Sequence, residues 1–95
     1  MDHNKFMQST KKDVPPSDLT GIHLALWYIL KDNWDMAHNI TQDIQSETAS
    51  WIHAYLHRKE GDIGNAHYWY RRGNKKPCTG SFKAELDLII RTEFT

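Results

Sequence analysis

The chain has 95 residues, in which 12 Lys and Arg balance 12 Asp and Glu, with six His beside them. That length limits it to one domain and excludes large multidomain designs. At 39% hydrophobic and 12% aromatic residues, the core has to be small and built largely from Trp, Tyr and Phe. Below about 100 residues surface-to-volume scaling leaves stability marginal, which favours assembly with a partner or a second copy. A lone cysteine, Cys78, excludes an internal disulfide and a paired-cysteine zinc frame. The longest apolar run, Leu24 to Leu30, has seven residues, against about 20 for a bilayer span. The start Met1-Asp2-His3-Asn4-Lys5 lacks an apolar signal core, so a soluble, cytoplasmic protein is the expectation. The charge is split, residues 1–50 carrying four Lys and seven acids and residues 51–95 eight Lys or Arg and five acids, −3 against +3. A basic footprint over the whole domain is missing, which argues against a nucleic-acid partner.

Residues 1–16 are polar, show no hydrophobic period and end in Val14-Pro15-Pro16. They read as a flexible leader, leaving one domain over 17–95. Ser17 stands where a helix N-cap belongs, and Leu19, Ile22, Leu26, Ile29 and Leu30 recur at helical spacing, predicting a first helix over 18–31. After Asp32-Asn33, a second helix carries Trp34, Ala37, Ile40, Thr41 and Ile44. Ser46 caps a third, with Trp51, Ile52, Ala54, Tyr55 and Leu56 on its apolar arc. Gly61 ends it and Asp62 caps a fourth, whose buried side is Ile63, Ala66, Trp69 and Tyr70, with Gly73 at its end. A turn-rich connector leads to Ser81 and a fifth helix with Phe82, Leu86, Ile89 and Ile90. No segment sustains a two-residue alternation, so the predicted class is all-α.

Laid over itself with an offset of 29 residues, the chain repeats its plan. Ala25 falls on Ala54, Tyr28 on His57, Asp32-Asn33 on Gly61-Asp62, and Ala37-His38 on Ala66-His67. Small residues at matched positions allow close helix approach, and the polar pair makes the turn. Units of this kind bury their faces only by stacking, with the last helix as a cap. The predicted architecture is therefore two stacked antiparallel helical hairpins plus a C-terminal capping helix, about five helices in all.

In these residues the chain resembles a tetratricopeptide or Sel1-like helical repeat. The match is fullest at Ala54, Gly61-Asp62, Ala66, Tyr70, Gly73 and Pro77, with Leu24, Ala25, Tyr28 and Ala37 in the first unit. It departs in its 29-residue period and in placing His53 and His57 where the family usually has Leu and an aromatic. The resemblance implies a stacked, TPR-like fold and speaks to that fold more than to any activity. The block His53 to Asp62, followed by Asn65-Ala66 and Tyr68 to Arg72, is also similar to stretches in small uncharacterised bacterial proteins, which implies no activity.

On a helical wheel His53, His57 and Glu60 fall within about 60°, opposite the apolar arc of the third helix. Two His at i and i+4 can grip one divalent ion, with a carboxylate one turn later as third ligand or general base. His38 and His67 occupy equivalent places in the two hairpins and are candidates to approach that column. The competing assignment pairs these imidazoles with Glu60, Asp62 or backbone as ordinary inter-helix groups. A third assignment places Tyr28, His53, His57, Glu60 and Arg71 along the surface of a ligand groove between hairpins. Tyr68 to Arg72 with Lys75-Lys76 reads as core aromatics beside a basic helix end, with an anion-binding edge as the alternative.

These readings give a leading expectation of a non-enzymatic interaction module that binds a protein segment or a second copy of itself. No catalytic residues are assigned under it, no cofactor is required and no membrane is involved. The alternative is a metal-dependent or acid/base enzyme on His53, His57 and Glu60, with His38 as a further member. Convergence of these side chains on one solvent-accessible point, within about 3–4 Å, is the arrangement that favours a site over separate hydrogen bonds.

Overall fold

The computed structural model describes residues 1–94, which form six helices and, among the described residues, no strand. They are α1 (His3–Ser9), α2 (Gly21–Leu30), α3 (Trp34–Gln42), α4 (Glu47–Lys59), α5 (Ile63–Arg72) and α6 (Phe82–Glu93). The predicted caps hold at three starts: Ser46, Asp62 and Ser81 accept from the backbone N–H of Ala49, Asn65 and Ala84. The first predicted helix is shorter than 18–31. Ser17 does not cap it; Thr20 stands at the N-cap of α2 without a side-chain bond.

The two hairpins, α2–α3 and α4–α5, share their turns bond for bond. Lys31 N–H donates to Trp27 O and Glu60 N–H to Leu56 O, at 3.1 and 3.2 Å. Asn33 N–H reaches back to Tyr28 O at 2.8 Å, and Asp62 N–H to His57 O at 2.9 Å. The reversing residue is left-handed in both, Asp32 at φ 61° and Gly61 at φ 90°, the conformation that ends a helix and satisfies its last carbonyls. Asn33 and Asp62 then cap the following helix through Met36 and Asn65 N–H. Each of these equivalent pairs is separated by the 29 residues of the repeat.

Helix α4 is the central element, packing against α3, α5 and α6. Every residue from Ala49 to His57 is buried. Gly73, at the end of α5, allows a close approach to the start of α4: a Cβ there would lie 2.9 Å from Glu47 O and 3.1 Å from Trp51 N. The core is aromatic, as the composition required, with Trp27, Tyr55, Tyr70 and Phe6 among the fully buried side chains.

The sixth helix is α1, and it corrects the expectation of a flexible leader over 1–16. Asp2 caps α1 by accepting from Lys5 N–H at 2.8 Å. Phe6 is fully buried and stacks on Phe94 with ring centroids 4.1 Å apart. Trp27 Nε1–H donates to Ser9 O, and Lys31 Nζ to Thr10 O and Lys12 O. A single phenylalanine among polar residues has no period to detect; its partner lies at the other end of the chain.

Candidate functional site

Three imidazoles meet where the hairpins join. His38 comes from α3, His53 and His57 from successive turns of one face of α4, and one ring nitrogen of each lies within 4.8 Å of the others. Three points so spaced share a centre within about 2.8 Å, against a metal–nitrogen bond of about 2.0–2.1 Å. His53 and His57 are only 2% and 6% exposed, and His38 is half-buried. Tryptophans wall the group: Trp34 stacks on His38 at 4.7 Å and 11°, and Trp69 lies 4.1 Å from His53. Trp34 is held by its own Nε1–H bond to Leu56 O, at 2.8 Å.

The hydrogen bonds around the rings favour one tautomer. The single Thr41 hydroxyl proton has the carbonyls of Ala37 and His38 at 3.0 and 3.2 Å as acceptors, and with the proton there its oxygen accepts from His53 Nδ1–H at 3.2 Å. Glu60 Oε1 accepts from His57 Nδ1–H at 2.7 Å. With Nδ1 protonated in both rings, each Nε2 carries the lone pair, the state in which a neutral imidazole ligates a metal; on His57 that lone pair accepts from the Asn65 amide at 3.4 Å. Burial, reinforced by the neighbouring His38 and His57, lowers the pKa of His53 from 6.5 to about 4, so it stays neutral near pH 7. Among the described residues the one side-chain polar atom both sealed from solvent and unpaired is His3 Nε2. The unpaired nitrogens of His38 and His53 therefore keep contact with solvent.

The remaining sequence-derived candidates fall into place around this cluster. Glu60 is exposed and bonds His57 Nδ1 at 2.7 Å; it lies apart from His38 and His53 but forms, with His57 and Asp62, a second trio whose ligand-type atoms are within 4.8 Å of one another. A shallow cavity of about 100 Å³ beside it is lined by Trp34, Leu56, Lys59 and Glu60, and by none of the three imidazoles. His67, the repeat equivalent of His38, is exposed. Tyr28 is half-buried with its ring edge-on to Trp27, and Arg71 is exposed; neither joins the group. The picture of His53 and His57 lining an open groove together with Tyr28 and Arg71 is corrected by their burial. Their face of α4 reads as a surface face, but α3 and α5 cover it.

Sequence reasoning missed the surrounding Thr41, Asn65, Trp34 and Trp69 as site residues. Part of the signal was present, since Trp34, His38 and Thr41 follow at spacings of four and three and so share one side of a helix. It also missed a second buried polar cluster. Glu85 of α6 is 3% exposed and accepts from Trp51 Nε1–H at 3.2 Å, Tyr70 O–H at 2.6 Å and Arg58 at 3.1 Å. Arg58 also donates to Gly80 O and lies over the Phe82 ring at 4.6 Å. Glu85 sits between Phe82 and Ile89 on the apolar side of its helix, a placement that marks a buried carboxylate needing partners. The basic edge is drawn onto aromatics: Arg72 lies 5.2 Å from the Trp69 ring centre and Lys75 4.5 Å from that of Trp51.

Comparison with known protein families, with curated proteins and with solved structures finds no match to this chain. No helix among the described residues is long and apolar enough to cross a membrane.

Proposed function

We propose that the protein binds a divalent transition-metal ion through His38, His53 and His57. The observation that carries this reading is the convergence of three imidazoles from two helices, two of them hydrogen-bonded through Nδ1 to Thr41 and Glu60. An all-nitrogen donor set suits zinc, cobalt, nickel or copper and disfavours the oxygen-seeking calcium and magnesium. The carboxylate behind His57 and the hydroxyl behind His53 are the outer partners that usually orient such ligands. The ion would tie α3 of the first hairpin to α4 of the second, adding stability that a small aromatic core lacks.

Calorimetric titration of tag-free protein with zinc tests this directly, with one ion per chain expected and none in a His53→Ala variant. Copper(II) should also quench tryptophan emission stoichiometrically, because Trp34 and Trp69 lie against the ligand rings. Zinc binding that survives loss of His53, or no binding by the intact chain, overturns the reading.

A second reading, association with another copy of the chain, draws on the exposed apolar side chains Ile63 and Tyr68 on α5 and Phe82 and Leu88 on α6. Light scattering checks it: a concentration-dependent dimer that Leu88→Lys dissociates supports it, and a monomer throughout opposes it.

A further inference from the structure

We infer that the metal site is an open one, in which a fourth position takes a single monodentate ligand beside the Asn65 side-chain amide: water in buffer, exchangeable for a singly charged anion. This rests on the metal-binding reading above. Among the described residues no fourth His, Cys, Asp or Glu lies within 4.8 Å of all three of His38, His53 and His57; Glu60 and Asp62 form a second such group with His57 alone. Three protein ligands leave a tetrahedral ion with one position to fill, the arrangement of sites that exchange ligands in place of serving as closed staples.

Asn65 marks where that position is served. Its Nδ2 lies 3.4 Å from His57 Nε2 and 3.5 Å from Asp62 Oδ2, and its backbone N–H is held by Asp62 Oδ1 at 3.3 Å. The amide donates to the lone pair of His57 Nε2, the ring nitrogen left for an ion once Nδ1 is bonded to Glu60. Once that lone pair is used, the amide N–H loses its acceptor while Asp62 still holds the residue at the edge of the cluster. An acceptor atom on the ion is the natural replacement. Asn65 is exposed, so a ligand reaches it from solvent without opening the hairpins.

Charge restricts what enters. A divalent ion on three neutral imidazoles carries two positive charges, and the Glu60 and Asp62 carboxylates face it from the end of α4 and the start of α5. Lys59 lines the cavity beside Glu60, and Arg72 lies over the outer side of the group, on the Trp69 ring that packs against His53. Two carboxylates at the rim repel a dianion more than a monoanion, so azide is expected to bind and sulfate to be excluded.

The test uses the full chain loaded with cobalt(II), whose visible bands report coordination. Azide should shift those bands saturably and sulfate should leave them unchanged. Asn65→Leu should weaken azide by about tenfold, the loss of one hydrogen bond to a charged acceptor, while cobalt affinity changes less than about threefold. Asn65→Gln, which keeps the amide, should recover part of the azide affinity. A cobalt spectrum indifferent to azide, sulfate competing equally with azide, or Asn65→Leu binding azide unchanged overturns this inference alone. Absence of any cobalt band overturns the metal reading and this inference with it.

Discussion

Helix α4 carries a buried polar cluster on each of two opposite faces, and the two are finished differently. On one face Glu85 meets the indole of Trp51, the hydroxyl of Tyr70 and the guanidinium of Arg58, so that both carboxylate oxygens are occupied. On the other face His53 and His57 have their protonated nitrogens paired with Thr41 and Glu60, and His38 makes no side-chain hydrogen bond at all. A closed network in a dry interior holds helices in register and asks for nothing further. Neutral ring nitrogens gathered within 4.8 Å of one another, with the Nδ1 side of two rings already bonded, are a place where a cation can be shared. The contrast assigns structure to the Glu85 cluster and ligand binding to the histidines.

The largest expected effect falls on the closed cluster. Glu85→Ala strands Arg58 and two buried donors and should cost about 3–5 kcal/mol in urea unfolding, with zinc affinity of the remaining folded protein unchanged. A cost below about 1 kcal/mol would place Glu85 among ordinary surface ion pairs and dissolve the contrast. The open cluster should behave in the opposite way. His53→Phe, which keeps the aromatic packing against Trp69, should abolish zinc binding yet leave the metal-free protein within about 1.5 kcal/mol of the parent.

Acidity separates the clusters next. The folded state holds the His53 pKa at about 4 against 6.5, so between those values the unfolded chain binds a proton that the folded chain refuses. Stability is therefore full above pH 6.5 and falls as pH drops toward 4, by at most about 3 kcal/mol. His53→Phe should flatten that slope. At the alkaline end burial, and then Glu85, raises the Tyr70 hydroxyl above its usual 10, while burial and Glu85 raise Tyr55 to about 12. Stability should fall as pH climbs past 10, and Tyr70→Phe should remove part of that loss. Matching slopes in the parent and these variants would sever the link between each cluster and its end of the pH scale.

Smaller effects refine the histidine side. Thr41→Val and Glu60→Gln should each weaken zinc by about 10-fold through looser ring orientation, measured by competition with a chelating dye. Unchanged affinity in both would leave Nδ1 partners without a role. Arg71→Ala should shift neither zinc affinity nor stability beyond about 0.5 kcal/mol, since its side chain joins neither cluster.

How far the sequence foretold this arrangement is clearest in particular residues. His53 and His57 were visible as a column because helical spacing is local, and the turn at Gly61-Asp62 was visible because left-handed and capping positions demand specific residue types. His38 was legible as a candidate through the repeat, although the same symmetry offered His67 with equal weight, and only packing separates the two. Glu60 was read as a third ligand or base; it bonds His57 Nδ1 at 2.7 Å and groups with His57 and Asp62, apart from His38 and His53, a division that spacing along one helix cannot express.

By itself the sequence determined the helices of the two hairpins, the caps at Ser46 and Asp62, the common turn and the order in which the helices stack, because hydrophobic period and cap chemistry act within one or two turns of chain. The tertiary structure decided what faces what. It folded α1 back onto Phe94, covered the polar side of α4 with α3 and α5, and brought His38 rather than His67 to the imidazole pair. Burial, proton placement and ligand convergence depend on residues brought together from separate helices, and no local pattern encodes that distance.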